Sequence, residues 1–416
     1  MKILSTLCLL ACAALTAQNI PAPTELPGDA FFIKKTWVIG GVGNWDYLTL
    51  DPASLQLFIA HGAVAQVVDV AAGSVTAEIS GLRDAHAIAL DNSGDFGYIS
   101  DGPADQVKVF DRRSFKVVAG IPTGPNPRAI VLEPQTGLIF AVSADPQPQK
   151  SASDKQGGAQ TSVKEEIKSA ITVIDGQTRT AIGTILLPGK LGFAQAGGAG
   201  QVFVSIVDRN EIAWIDATEI EARLHGAPGK AEITRAESGQ PSPAKPAGAE
   251  ITLDWSAVPH PTQSSGNRVR FFALGPECRE LRGLAVDAGH LRLFAACGNM
   301  KLDVLNAATG ELVASLPTGP GTDAIGYDPD RGLIYAANGG ANGSLTIIRQ
   351  DVNDAYAVIQ NLPTRQRART LAVNPATGEI YLVTDLLGVN LTQPGGIGTL
   401  QTVPAEGSFQ VLVIGH

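Results

Sequence analysis

Cysteine is nearly absent from this sequence: there are 4 in 416 residues, and Cys8 and Cys12 fall in the first dozen positions. The two that remain, Cys278 and Cys297, are too few for a four-cysteine zinc knuckle, and no Cys-x-x-Cys-His haem motif is present. Charge is sparse as well. Asp, Glu, Lys and Arg make up 17% of the chain, with a net charge of −9. That balance argues against a nucleic-acid backbone as the main partner, because phosphate binding needs clustered positive charge. No apolar run beyond residue 15 is long enough to span a bilayer as a helix. A Gly-x-Ser-x-Gly elbow, a His-Glu-x-x-His helix and a phosphate-cradling glycine loop are all missing.

What the sequence does have is turns. Gly 46 and Pro 26, beside 44% hydrophobic residues, suit an all-β chain of many short strands around a large core. The start of the chain reads as a targeting signal, residues 1–17. Lys2 gives the positive end, Ile3 to Leu15 the short apolar run, and Ala17 a small residue for cleavage. The expected location is therefore periplasmic or extracellular. A rival reading lipidates Cys12, since Leu9-Leu10-Ala11-Cys12 loosely matches a bacterial lipobox, and would anchor the protein to a membrane.

One motif recurs along the mature chain. Tyr47-Leu-Thr-Leu-Asp51, Ala87-Ile-Ala-Leu-Asp91 and Ala129-Ile-Val-Leu-Glu133 align, as do Gly283-Leu-Ala-Val-Asp287, Ala324-Ile-Gly-Tyr-Asp328 and Thr370-Leu-Ala-Val-Asn374. A degraded copy, Gly192-Phe-Ala-Gln-Ala196, makes seven. Without insertions the spacings are 40, 42, 41 and 46 residues, the period of a four-stranded propeller blade. The prediction is a seven-bladed, all-β propeller of four-stranded antiparallel blades over residues 31–416. The last unit is one strand short, and Lys35 to Gly40 reads as the missing outer strand. The ring therefore closes by pairing the two ends of the propeller, which removes two exposed edges.

The units Leu333-Ile-Tyr-Ala-Ala-Asn338 with Ser344-Leu-Thr-Ile-Ile, and Leu302 to Gly310 running into Leu316-Pro-Thr-Gly-Pro320, resemble the YVTN β-propeller repeat. The resemblance implies this fold over nearly the whole mature chain and implies no single reaction.

Three insertions break the period, at 145–168, 217–266 and 386–407, the second with a helical stretch at Thr218–Leu224. Segments this long are functional or disordered, and the low hydrophobicity of 145–168 and 228–249 favours solvent-exposed chain. Alternating strand direction puts the blade 3 and blade 7 insertions on the face of the channel entrance, and the blade 4 insertion on the opposite face. The same geometry brings Cys278 and Cys297 onto adjacent strands, and a disulfide is the leading reading.

The residue opening each innermost strand should line the channel mouth: Asp46, His86, Arg128, Leu191, Arg282, Asp323 and Arg369. Six of the seven are ionisable. Three arginines suggest a carboxylate or phosphate ligand, because a guanidinium holds two oxygens at once. The bland alternative is a wet ring of charges that neutralise one another. His86 with Asp46 and His61 is the candidate base or metal set. His225, His260 and His290 match no metal spacing, and the Arg365–Arg369 cluster reads as a short solvated basic loop. No cofactor is expected, with a divalent metal in the channel left open. The leading expectation is a monomeric exported binding module for a protein or a small anion. The alternative is a propeller hydrolase or lactonase using a metal or activated water at the mouth.

Overall fold

The structure, a computed structural model, describes residues 30–41, 43–146, 167–224, 251–254, 269–392 and 399–416. Seven antiparallel sheets form a ring, a seven-bladed β-propeller. The strands nearest the axis, here called a, are Trp45–Asp51, Ala85–Leu90, Pro127–Leu132, Leu191–Ala196, Leu281–Asp287, Thr322–Asp328 and Leu371–Asn374, in blades 1 to 7. Strands b, c and d follow outwards in each sheet; in blade 1 they are Gln56–His61, Val64–Asp69 and Ser74–Ile79.

The recurrent acidic residue at the end of strand a has a local cause. Its side chain accepts backbone N–H groups of the turn that follows: Asp51 from Ala53, Asp91 from Gly94, Glu133 from Thr136 and Asp328 from Asp330, at 2.8–3.2 Å. Such turns mimic a backbone turn and fix the hairpin into strand b. Blade 4 has Gly197 there, and its turn is held from next door. The buried Glu133 of blade 3 accepts Gly200 N–H at 3.0 Å through its other oxygen.

Packing between blades supplies the core. Blades 7 and 1 meet through Trp45, Leu48 and Ile59 against Tyr381, Val411 and Val413, all buried. Ring closure follows the expected design: Phe32–Val38 is the outermost strand of blade 7, antiparallel to Gln410–Gly415. Trp37 on that strand stacks on Tyr381 at 5.7 Å, so the closure carries packing as well as ladder hydrogen bonds.

The insertion in blade 4 is not all loop. It begins as helix α1 (Ala217–Leu224), whose N-terminus is capped by Asp216 Oδ1 accepting from Thr218 and Glu219 N–H at 3.1 Å. Ala217 and Ile220 are buried against blades 3 and 4. Farther on, Ile251–Asp254 pairs in parallel with strand d of blade 3, Thr180–Pro188, adding a fifth strand to that blade. In blade 7, Leu387–Thr392 and Thr399–Pro404 form a hairpin between strands b (Glu379–Thr384) and c (Gln410–Gly415). Most of 145–168, all of 228–249, and His225 and His260 lie outside the described residues. Among the described residues, no helix is long and apolar enough to cross a membrane.

Candidate anion site at the channel mouth

In blades 1 to 6 the pairing of strand a with strand b slips by one residue at the mouth end. A bulge leaves one residue unpaired and re-aims its side chain. The slip falls on Asp46, His86, Arg128, Arg282 and Asp323, which explains why a sheet strand can present a charge here. Arg369 holds the matching position in the link into blade 7.

Blade 4 corrects the alignment by one residue. Leu191 pairs with Ile206 as Trp45 pairs with His61, so the counterpart of Asp46 is Gly192 and not Leu191. Leu191 is 3% exposed and belongs to the core between blades 3 and 4, although it still edges the mouth. The slip arose because this copy lacks the acidic residue that anchors the repeat.

Asp46, Arg128, Arg282, Asp323 and Arg369 line one cavity of about 350 Å³. Arg369 Nε lies 3.3 Å from Asp323 Oδ2, and its Nη2 donates to the Trp45 carbonyl at 3.3 Å. Arg282 pairs with the exposed Glu280 at 3.1 Å. Arg128 is exposed to the cavity and makes no hydrogen bond or ion pair among the described residues. Burial pushes the Asp323 carboxyl above the usual carboxylate range; Arg369 opposes the rise, Asp46 adds to it and Arg282 opposes it. Burial, then Asp323 and Asp46, likewise hold the Tyr47 phenol well above its ordinary value.

His86 does not line this cavity. Its ring is tucked behind Asp46, 4% exposed, with Nδ1 3.0 Å from Asp46 Oδ2 and Nε2 3.7 Å from Asp84 Oδ2. His61 Nδ1 lies 3.0 Å from Gln66 Oε1, and its ring packs on Phe409 at 4.0 Å. Asp46, His61 and His86 do not bring donor atoms together as a metal set. Among the described residues such a group forms at Cys278, Cys297 and Asp303, and there the two sulfurs are bonded to each other, with the Cα atoms 5.3 Å apart. His290 is solvent-exposed and rests on Asp287 at 2.7 Å.

Several residues of the mouth gave no signal in the sequence. Tyr47 and Phe193 form its floor, their rings 4.9 Å apart. Below them the channel opens into a second cavity of about 610 Å³ whose wall is mostly Ala, Leu, Val and Ile. Beside the mouth, a cleft of about 290 Å³ runs between blades 5, 6 and 7, lined by Arg282, Arg367 and Arg369 with Gly298, Gly321 and Gly339. Arg367 is not a freely solvated loop cation. It pairs with the buried Asp385 at 3.0 Å and lies over the Trp45 ring at 4.5 Å.

No family model matches the chain, and no curated protein matches it. Among solved structures, 1588 chains match. One, from a crystal structure of the mitotic checkpoint complex, is 13% identical with a TM-score of 0.59, and the match covers 98% of this chain and 99% of that one. Likeness at that identity is one of fold alone. A fold this widely shared does not choose an activity.

Proposed function

We propose that this chain is an exported binding module of the YVTN-repeat type, and that its channel mouth holds a small anion between Arg128 and Arg282. The observation that carries the reading is Arg128, a guanidinium that faces the mouth cavity with no ion-pair partner among the described residues. Asp323 is answered within the ring by Arg369, Asp46 is in hydrogen-bond contact with His86, and Arg282 pairs with the exposed Glu280 at the rim, so the guanidinium left over is that of Arg128. Export is supported by the signal-like residues 1–17 and by the bonded pair Cys278–Cys297, which suits an oxidising compartment. Water activation by His86 has less support, since its ring is shut away and Nδ1 is engaged by Asp46.

Calorimetric titration of acetate and inorganic phosphate into the protein, and into Arg128→Ala and Arg282→Ala, tests the reading. Each arginine removed should weaken binding at least about tenfold, as loss of a charge-assisted hydrogen bond does. No binding of any anion, or equal binding by the variants, sinks it.

A further inference from the structure

The blade that departs from the repeat is the one that shapes the mouth. Round the ring the bulge position reads Asp46, His86, Arg128, Gly192, Arg282, Asp323 and Arg369, so the side chain is missing only between two arginines. A Cβ at Gly192 would lie 2.7 Å from Ser205 Oγ and 2.8 Å from Val207 Cγ2, closer than real contacts allow. Ser205 cannot easily give way, because its hydroxyl accepts Phe193 N–H at 2.7 Å. The gap is thus built into the packing of blade 4.

The following residue is aromatic in two blades of the seven. Blades 2, 3 and 6 place Ala87, Ala129 and Ala324 there, blade 5 places Gly283 and blade 7 Thr370, while blade 1 places Tyr47 and blade 4 Phe193. Its ring reaches across to Tyr47 and floors the gap. Leu191, Leu281 and Val207 wall the cavity on that side. A cavity lined by two guanidinium groups over an aromatic floor is complementary to a molecule with one anionic end and one flat apolar body. The cavity, about 350 Å³, is at the small end of the range of about 300–1,000 Å³ seen for small-molecule sites.

We infer that the gap at Gly192 receives a small aromatic carboxylate, its carboxylate between Arg128 and Arg282 and its ring on Phe193 and Tyr47. This rests on the anion reading above and narrows it. A bare anion such as phosphate would leave the apolar floor and walls wet. A neutral arene would offer Arg128 no carboxylate to pair with.

Titration of benzoate, acetate, phosphate and benzyl alcohol into the full chain tests the inference. Benzoate should bind at least tenfold more tightly than acetate or phosphate, and benzyl alcohol should show no saturable binding. Phe193→Leu, checked by thermal melting to be folded, should bring benzoate to the level of acetate and leave acetate unchanged. Saturation-transfer NMR should show the ring protons of benzoate in contact with the protein, and the contact should weaken in Phe193→Leu. Benzoate and acetate binding equally, with both lost in Arg128→Ala, would overturn the aromatic assignment and leave the anion site standing. Binding of none of them would overturn both.

Discussion

The ring of Tyr47 meets the ring of Phe193 at 4.9 Å, and because the two belong to blades 1 and 4, which are not neighbours, that contact crosses the channel. It divides the channel into a charged mouth and a deeper, largely apolar chamber. Edge and offset ring pairs contribute roughly 0.5–1.5 kcal/mol beyond area burial. A double-mutant cycle of Tyr47→Leu and Phe193→Leu in urea should give a coupling of about 1 kcal/mol. Additive effects would mean that the rings do not support each other.

Arg367 and Asp385 form an ion pair whose carboxylate is almost wholly buried. Burial pushes the Asp385 carboxyl up, and Arg367 opposes that rise. Arg367→Ala removes the opposition and should cost about 3 kcal/mol at neutral pH, the loss expected when one partner of a buried pair is deleted. The sign of the pH effect follows. A folded carboxyl with a raised pKa binds its proton more tightly than in the unfolded chain. The penalty therefore grows as pH rises above the unfolded value of about 4, and fades below it. Denaturation of Arg367→Ala at pH 7 and pH 4 should show the larger deficit at pH 7; an equal deficit would place the effect in lost packing over Trp45.

How far the sequence carried can be seen in blade 4. The ladder of strands was legible because each copy repeats a turn whose acidic side chain holds the backbone, a local rule. Blade 4 replaces that residue with Gly197 and takes its turn contact from Glu133, so the alignment slipped onto Leu191 and hid Gly192. The contact of Phe193 with Tyr47, and that of Arg367 with Asp385 and Trp45, join residues far apart in the chain and leave no periodic trace. The parallel strand Ile251–Asp254 was invisible for the same reason, since four residues show their pairing only once blade 3 offers an edge. The charges at the mouth were legible as a pattern, but which were already paired was not.

The bond between Cys278 and Cys297 closes a loop with a sequence separation of 19 and ties the lead-in of blade 5 to the end of its strand b. A loop of that size is expected to contribute about 3 kcal/mol by restricting the unfolded chain. The double variant Cys278→Ser, Cys297→Ala should lose that much in denaturant, and the wild-type protein unfolded with and without reductant should show the same gap. Identical midpoints would show the bridge to be absent or without effect.

Asp323 faces Asp46, Arg369 and Arg282 across the mouth, and its carboxyl stands above the usual carboxylate range. Lowering the pH towards that raised value neutralises it and removes a negative charge near any bound anion. Affinity for benzoate should therefore rise several-fold as the pH is lowered from 8 towards that raised value, matching roughly 1 kcal/mol of relieved repulsion. Asp323→Asn should bind more tightly at pH 8 and show a flatter profile. A profile unchanged by the substitution would assign the pH effect to another group.

The most direct measurement is an experimentally determined structure of the protein with benzoate bound. The account predicts a single molecule at the gap of blade 4, its carboxylate within hydrogen-bond distance of Arg128 and Arg282 and its ring on Phe193. Benzoate seated elsewhere on the propeller, with Arg128 still unpaired in an empty mouth, would contradict it.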